Sequence, residues 1–442
     1  MVDNIDELIY SAIFSPDENV KKSSRTSIRK LAEEKGIKLA SINDLYMSIG
    51  QGKVSGFTVP AINVRSLTYD LARQVFQIMK EKKVGPVLFE IARSEIKYTE
   101  QQPDEYAVSI LAAAIKENYV GKVFIQGDHY QFSAKNFAVN KEDEIAKIKE
   151  LIKKSIDAGF YNIDIDASTL VDLTKTDLVE RQRNNYEMTA LLTEYIRSIQ
   201  PKDVMISIGG EIGHIGGVNS TVADFETFMD NYLKLIKDKN LVGVSKVSVQ
   251  TGTSHGGIPL PDGTIAKVKL DFDVLKSITE SAWSKYKIGG SVQHGASTLP
   301  NELFHNFPTY KTLEIHLATG FQNIIYDHEE FPQDLRQNIY EYLKSKHADE
   351  WKTGKTEEQF LYSTRKKGLG PFKAEMWGLP EAVRSAIRKT LEAKFGFYFD
   401  QLQVGGTQDL VRQFIPLVKV EKQQADFGLG KGKEEDVSDL AD

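Results

Sequence analysis

Eight short, apolar, β-branched runs separated by amphipathic stretches constrain this chain more than any other feature of it. They fall at residues 57–63, 86–92, 123–129, 162–168, 205–211, 244–253, 288–294 and 323–327. Two of the intervening stretches, starting at Leu67 and Glu144, carry apolar residues at helical spacing, and the second stops at Ala158-Gly159 as helices commonly do. Strand and helix alternating eight times predicts parallel strands joined by helical crossovers. Eight such units point to a closed (β/α)8 barrel over an open, doubly wound sheet. The glycine-rich Gly209-Gly-Glu-Ile-Gly-His-Ile-Gly-Gly217 lacks the dinucleotide-binding spacing, and no Walker lysine follows it.

The flanks read differently. Residues 1–50 are expected to form a peripheral helical segment, 51–330 the barrel, 331–420 a helical extension, and 421–442 a polar, disordered tail. The 442 residues include no cysteine, which excludes disulfides, thiolate nucleophiles and cysteine-based zinc sites. Lysine and arginine number 56 against 62 acidic residues, and no basic stripe with interleaved aromatics stands out, so nucleic acid is not an expected partner. No run approaches a membrane span, and the start has no charged segment leading into an apolar one. The expectation is a cytoplasmic protein acting on a small molecule.

Barrel enzymes build their active sites at the C-terminal ends of the strands. Three of the eight histidines stand at predicted strand ends beside small residues. They are His129 in Val123-Phe-Ile-Gln-Gly-Asp-His, His255 in Gly252-Thr-Ser-His-Gly, and His294 in Gly290-Ser-Val-Gln-His-Gly. Three neutral imidazoles around an open position make a catalytic metal site. Asp128, Asp166, Glu211 and Asp327 stand at strand ends as well. Each has a plainer reading, as a helix cap or a hydrogen-bonded core residue. His316 sits in a helical pattern and reads as structural, His328 as a residue of the mouth, and His305 and His347 as surface residues.

From about Ser41 to Leu402 the chain resembles the class II, metal-dependent ketose-bisphosphate aldolases, the fructose- and tagatose-bisphosphate enzymes. Ser55-Gly-Phe-Thr-Val-Pro-Ala-Ile-Asn63 resembles the family's first strand, which ends in asparagine. Asp128-His129 matches its Asp-His pair, and Ile165-Asp-Ala-Ser168 its Ile-Asp-Gly-Ser. Glu211-Ile-Gly-His-Ile-Gly-Gly217 and His294-Gly-Ala-Ser297 resemble two further motifs, and Gly252-Thr-Ser-His-Gly256 is the most specific match. The resemblance implies that His129, His255 and His294 bind a divalent cation, zinc first. Asp128 would handle the proton of the C4 hydroxyl, and Asp166 and Glu211 would lie behind the ligands or hold a spare metal position. Asn63, Gly256, Gly295, Ser297 and Asp327 would contact substrate or its phosphate, and a homodimer or homotetramer would be expected.

The chain also departs from that pattern. Val218-Asn219 stands where the family has two acidic residues, and Ile325 where an asparagine precedes the aspartate of strand eight. Losing an amide aimed at developing charge commonly costs orders of magnitude where that amide is used. Glu90 or His328 would then offer another proton route. Three readings follow: a metal-dependent aldolase for a phosphorylated ketose, a metal-dependent sugar epimerase or isomerase on the same barrel, and a non-catalytic subunit of a tagatose-bisphosphate aldolase.

Overall fold

The computed structural model describes residues 4–213, 218–252, 260, 270–416 and 439–440. Nine parallel strands organise it: β1 (Ile37–Leu39), β2 (Val59–Asn63), β3 (Leu88–Ala92), β4 (Gly121–Gln131), β5 (Asn162–Asp166), β6 (Ser207–Glu211), β7 (Lys246–Val249), β8 (Ser291–Gln293) and β9 (Glu314–Leu317). β2 to β9 pair in order, β9 returns to β2, and β4 pairs β5, so the ring is closed by eight strands. This is the (β/α)8 barrel that the alternation predicts. β1 lies outside the ring and pairs the start of β4, Ile37 opposite Gly121.

Helices cover the barrel because the strands are buried on both faces and shed their outer side chains onto amphipathic stripes. Thr68–Glu81 follows β2, and Lys141–Ala158 follows β4, capped by Asn140 and terminated by Gly159 in the left-handed region. Two of the three helices that precede the barrel, Ile5–Phe14 and Glu18–Glu34, pack on Pro103–Lys116, and the third is Asn43–Gly50.

The segment after the barrel does not stand apart from it. Glu381–Gln401 packs along Thr68–Glu81. The Thr58 N–H donates to the Leu402 carbonyl (3.0 Å), and the Gly406 and Gln408 amides donate to the carbonyls of Lys82 and Lys83 (2.9 and 3.0 Å). Most of the expected tail lies outside the described residues. At its far end, Asp439 accepts from Ser133 Oγ at 2.6 Å.

One strand differs from expectation. Residues 323–327 are the end of a helix, Thr319–Asp327, and the eighth barrel strand is Glu314–Leu317. Along that short strand Glu314 and His316 share the inward face, while Ile315 and Leu317 face the surrounding helices. Polar inward positions erase the apolar signature that a barrel strand would otherwise show, and the apolar Ile324-Ile-Tyr326 run reads as a strand in its place.

Candidate metal centre at the barrel mouth

β4 carries two consecutive chemical groups, which a regular strand would aim at opposite faces. Its pairing with β5 shifts register between Gly127 and Tyr130, and His129 takes φ +41°. This bulge turns both Asp128 and His129 inward, a local distortion of the kind that recurs at functional sites. His129 Nδ1 then lies 3.1 Å from Asp166 Oδ2 at the end of β5, and 3.1 Å from Glu211 Oε2 at the end of β6. The His129 and His294 rings are 4.1 Å apart between centroids, with His294 just past β8. The His294 Nε2 contacts Ser248 Oγ at 2.9 Å.

His129, His294 and Glu211 each offer a donor atom within 4.8 Å of the others, all buried. Two imidazoles and a carboxylate form a donor set suited to zinc or a similar divalent cation. Asp166 is saturated by Ser168 Oγ (2.7 Å), the Ser168 amide (3.0 Å) and Gln131 Nε2 (2.5 Å). It is therefore placed to hold the His129 ring, as carboxylates behind metal-bound histidines do. The local charge also fits a cation. Burial raises Glu211 to about 8, with Asp166 adding to the effect. Burial opposes a proton on His129, yet Asp128 and Glu211 raise its pKa well above the usual histidine range. A divalent ion would meet the same demand for positive charge. His255 and Gly256, the expected third ligand and its neighbour, lie outside the described residues, as does His214 of the glycine loop.

Below and beside this triad runs a buried ionic layer that sequence reasoning missed. Lys246 Nζ on β7 contacts Asp164 on β5 (2.8 Å), Glu314 on β9 (2.5 Å) and Gln126 on β4 (2.8 Å). Gly209 leaves room for it, since a Cβ there would lie 2.3 Å from Asp164 Oδ1. Tyr46 donates to the other Glu314 oxygen. Against burial, Lys246 and His316 hold Glu314 down at about 2, so it stays a carboxylate.

Glu314 contacts His316 Nε2 at 2.6 Å, and His316 Nδ1 faces Glu90 Oε2 at 2.9 Å and Asp128 Oδ1 at 3.2 Å. The His316 ring also lies 4.1 Å from that of His294. The histidine read as structural is thus part of the mouth, and Asp128, His294 and His316 form a second group of mutually close donors. The signal available in the sequence was the small-residue run Ala318-Thr-Gly320 just after Glu314-Ile-His-Leu317, where the helix Thr319–Asp327 begins.

The remaining expected contacts divide. Asn63 ends β2, buried, and donates to Glu95 Oε2 at 2.5 Å. Gly295 has φ +68° and opens the turn Ala296–Thr298, and Ser297 Oγ accepts from the Gly320 amide at 3.0 Å. Both stand at the mouth. Asp327 does not: it ends the Thr319–Asp327 helix, 62% exposed, paired with Arg365. The phosphate role assigned to it assumed a strand that is not there, and Ile325 is a buried helix residue for the same reason. His328 contacts Thr390 on the outside and offers no proton route, whereas Glu90 sits against His316.

A parallel eight-stranded barrel with clustered histidines and carboxylates at its strand ends defines a (β/α)8 barrel protein with a candidate metal site. The chain belongs to the fructose-bisphosphate aldolase class-II family, whose profile matches residues 45–370. Among solved structures it is similar to the fructuronate-tagaturonate epimerase UxaE from Cohnella laeviribosi, with 12% identity and a TM-score of 0.58 over 89% of this chain and 90% of that one. A probable tagatose 6 phosphate kinase from Sinorhizobium meliloti 1021 gives 15% identity and a TM-score of 0.54 over 80% and 93%. A fructose-bisphosphate aldolase from Campylobacter jejuni gives 18% identity and a TM-score of 0.48 over 83% and 96%. The first two likenesses show a shared fold and nothing further. No curated protein matches the sequence. No helix among the described residues is long and apolar enough to cross a membrane.

Proposed function

We propose that this chain is a metal-dependent aldolase that cleaves or condenses a phosphorylated ketose of the fructose- or tagatose-bisphosphate type. One observation carries the reading: the β4 bulge sets Asp128 directly beside His129, so a carboxylate base adjoins the candidate metal centre. His129, His294 and Glu211 would hold the cation, with His255 as a further ligand. A bound divalent cation would polarise the ketone and take up the negative charge that develops next to it. Asp128 takes the proton of the C4 hydroxyl, the C3–C4 bond breaks, and its electron pair passes to the ketone-bearing fragment as an enediolate. The aldehyde leaves, and a proton returned to C3 completes the triose.

A second reading, sugar epimerisation, has its own observation. His316, backed by Glu90 and Glu314, is a second proton-exchanging group within 3.2 Å of Asp128. A proton taken by one could pass to the other, and the similar structure from Cohnella laeviribosi is described as a fructuronate-tagaturonate epimerase. The test incubates zinc-loaded protein with ketose bisphosphates, ketose monophosphates and ketouronates, then follows triose release by a coupled assay and epimers by NMR. Triose release that stops on chelation is the expected result. Epimers without trioses would move the assignment to the second reading, and full cleavage in the presence of chelator would end both.

A further inference from the structure

Beyond its bulge, β4 pairs β5 in a new register, with Tyr130 opposite Ile165 and Gln131 opposite Asp166. Tyr130 reaches the helix Lys141–Ala158, where its hydroxyl and Ser155 Oγ are 2.5 Å apart. Alternation along the strand then returns Gln131, buried, to the side that carries the site. Its Nε2 donates to Asp166 Oδ2 at 2.5 Å, the same oxygen that meets His129 Nδ1 at 3.1 Å.

A carboxylate offers about four lone pairs and no hydrogen. Ser168 fills two of them on Oδ1, through its hydroxyl (2.7 Å) and its amide (3.0 Å), and Gln131 fills a third on Oδ2. The fourth direction is that of the His129 ring. An acceptor there calls for a hydrogen on Nδ1, which leaves the Nε2 lone pair to act as a ligand. Glu211 Oε2 lies as close to Nδ1, at 3.1 Å, but with that carboxylate given to a cation the Nδ1 hydrogen falls to Asp166. Gln131 is also held at its backbone. Arg93 Nη1 donates to the Gln131 carbonyl at 2.6 Å and to Glu144 Oε1 at 2.5 Å, and the Ser133 amide donates to that glutamate oxygen at 2.8 Å. Arg93 and Glu144 are both buried, so the planar guanidinium fixes the direction of the carbonyl.

We propose that Gln131 is a positioning residue of the metal centre: through Asp166 it sets the orientation and tautomer of His129, so that Nε2 is the nitrogen offered to the cation. The inference rests on the mouth holding a divalent cation, as the proposed function requires, and not on which sugar is turned over.

The test reads metal affinity. Zinc binding to the whole chain is measured by competition with a chromophoric chelator for wild type, Gln131→Met, Gln131→Asn, Asp166→Ala and the double variant Gln131→Met with Asp166→Ala. Methionine has nearly the length of glutamine and no donor. Asparagine keeps an amide but draws it back by one methylene, and it carries the test if the methionine variant fails to fold. Each Gln131 variant should bind zinc about tenfold to a hundredfold more weakly, and the d–d spectrum of its cobalt-loaded form should differ from that of wild type. In the Asp166→Ala background, Gln131→Met should change affinity less than about twofold, because the amide acts through that carboxylate. Wild-type zinc affinity in a folded Gln131 variant, or an equal loss in both backgrounds, would overturn the proposal. Weakened zinc binding with no ketose converted by wild type would leave Gln131 in this role and end the aldolase reading. Ketose cleavage that stops on chelation, with unchanged affinity in the variants, would do the reverse.

Discussion

At the scale of single residues, the site depends on groups whose neighbours fix their state. Asp128 is the only carboxylate that adjoins both His129 in sequence and His316 in space. Asp128→Asn keeps the shape and removes the base, so kcat should fall about a thousandfold while bound metal stays constant, read by steady-state kinetics beside elemental analysis. Lys366 supports a prediction about pH. Its folded pKa of about 7 lies below the ordinary 10.5, with Arg65, Lys367, Glu95, Glu350 and Tyr98 as its charged or titratable neighbours. Between those values the unfolded chain binds the extra proton, so stability rises with pH through that window, and the cost of the buried ammonium is complete below it. In buffer free of phosphate and carboxylates, Lys366→Met should therefore raise Tm most near pH 6, and the gain should shrink toward pH 10. A gain independent of pH would contradict the assignment.

At the scale of elements, the legible and the illegible parts of the sequence separate for a physical reason. Seven of the barrel strands, β2 to β8, announced themselves because they are short apolar, β-branched runs set between amphipathic stretches, as in Val123-Phe-Ile-Gln-Gly-Asp-His. His129, His294, Asp166 and Glu211 were legible with them only as a set, since a barrel brings several strand ends to one face. β9 was not legible. Its inward Glu314 answers to Lys246, 68 positions earlier, and His316 to Glu90 and Asp128, and no local pattern reports a partner across the ring. Arg65 and Lys366 were hidden in the same way, 301 positions apart yet on one tyrosine ring. Lys246→Met tests how much the ionic layer supports the barrel. Removing the cation leaves Asp164 and Glu314 facing each other in the interior, and denaturant unfolding should register a loss of about 3–5 kcal/mol. A loss under about 1 kcal/mol would mean that the two carboxylates find protons at little cost.

At the scale of the whole molecule, the barrel is fastened by sequence far outside it. The first barrel strand is entered at Thr58, whose amide is held by Leu402, and the 82–85 turn before β3 is held by Gly406, Thr407 and Gln408. A chain ending at residue 380 should therefore lose the barrel as a unit rather than lose a trimming of its surface. Expressed that way, it should partition into the insoluble fraction, whereas a chain ending at residue 416 should stay soluble and resist protease. Soluble chains ending at 380 with native protease resistance would refute this. The same fastening governs how the protein is born. A ribosome releases the first strand early, yet Leu402, whose carbonyl holds the Thr58 amide at its entry, follows the last barrel strand in the chain. The nine strands are all made before that anchor exists, so the first strand is expected to settle fully only after the rest of the ring has emerged.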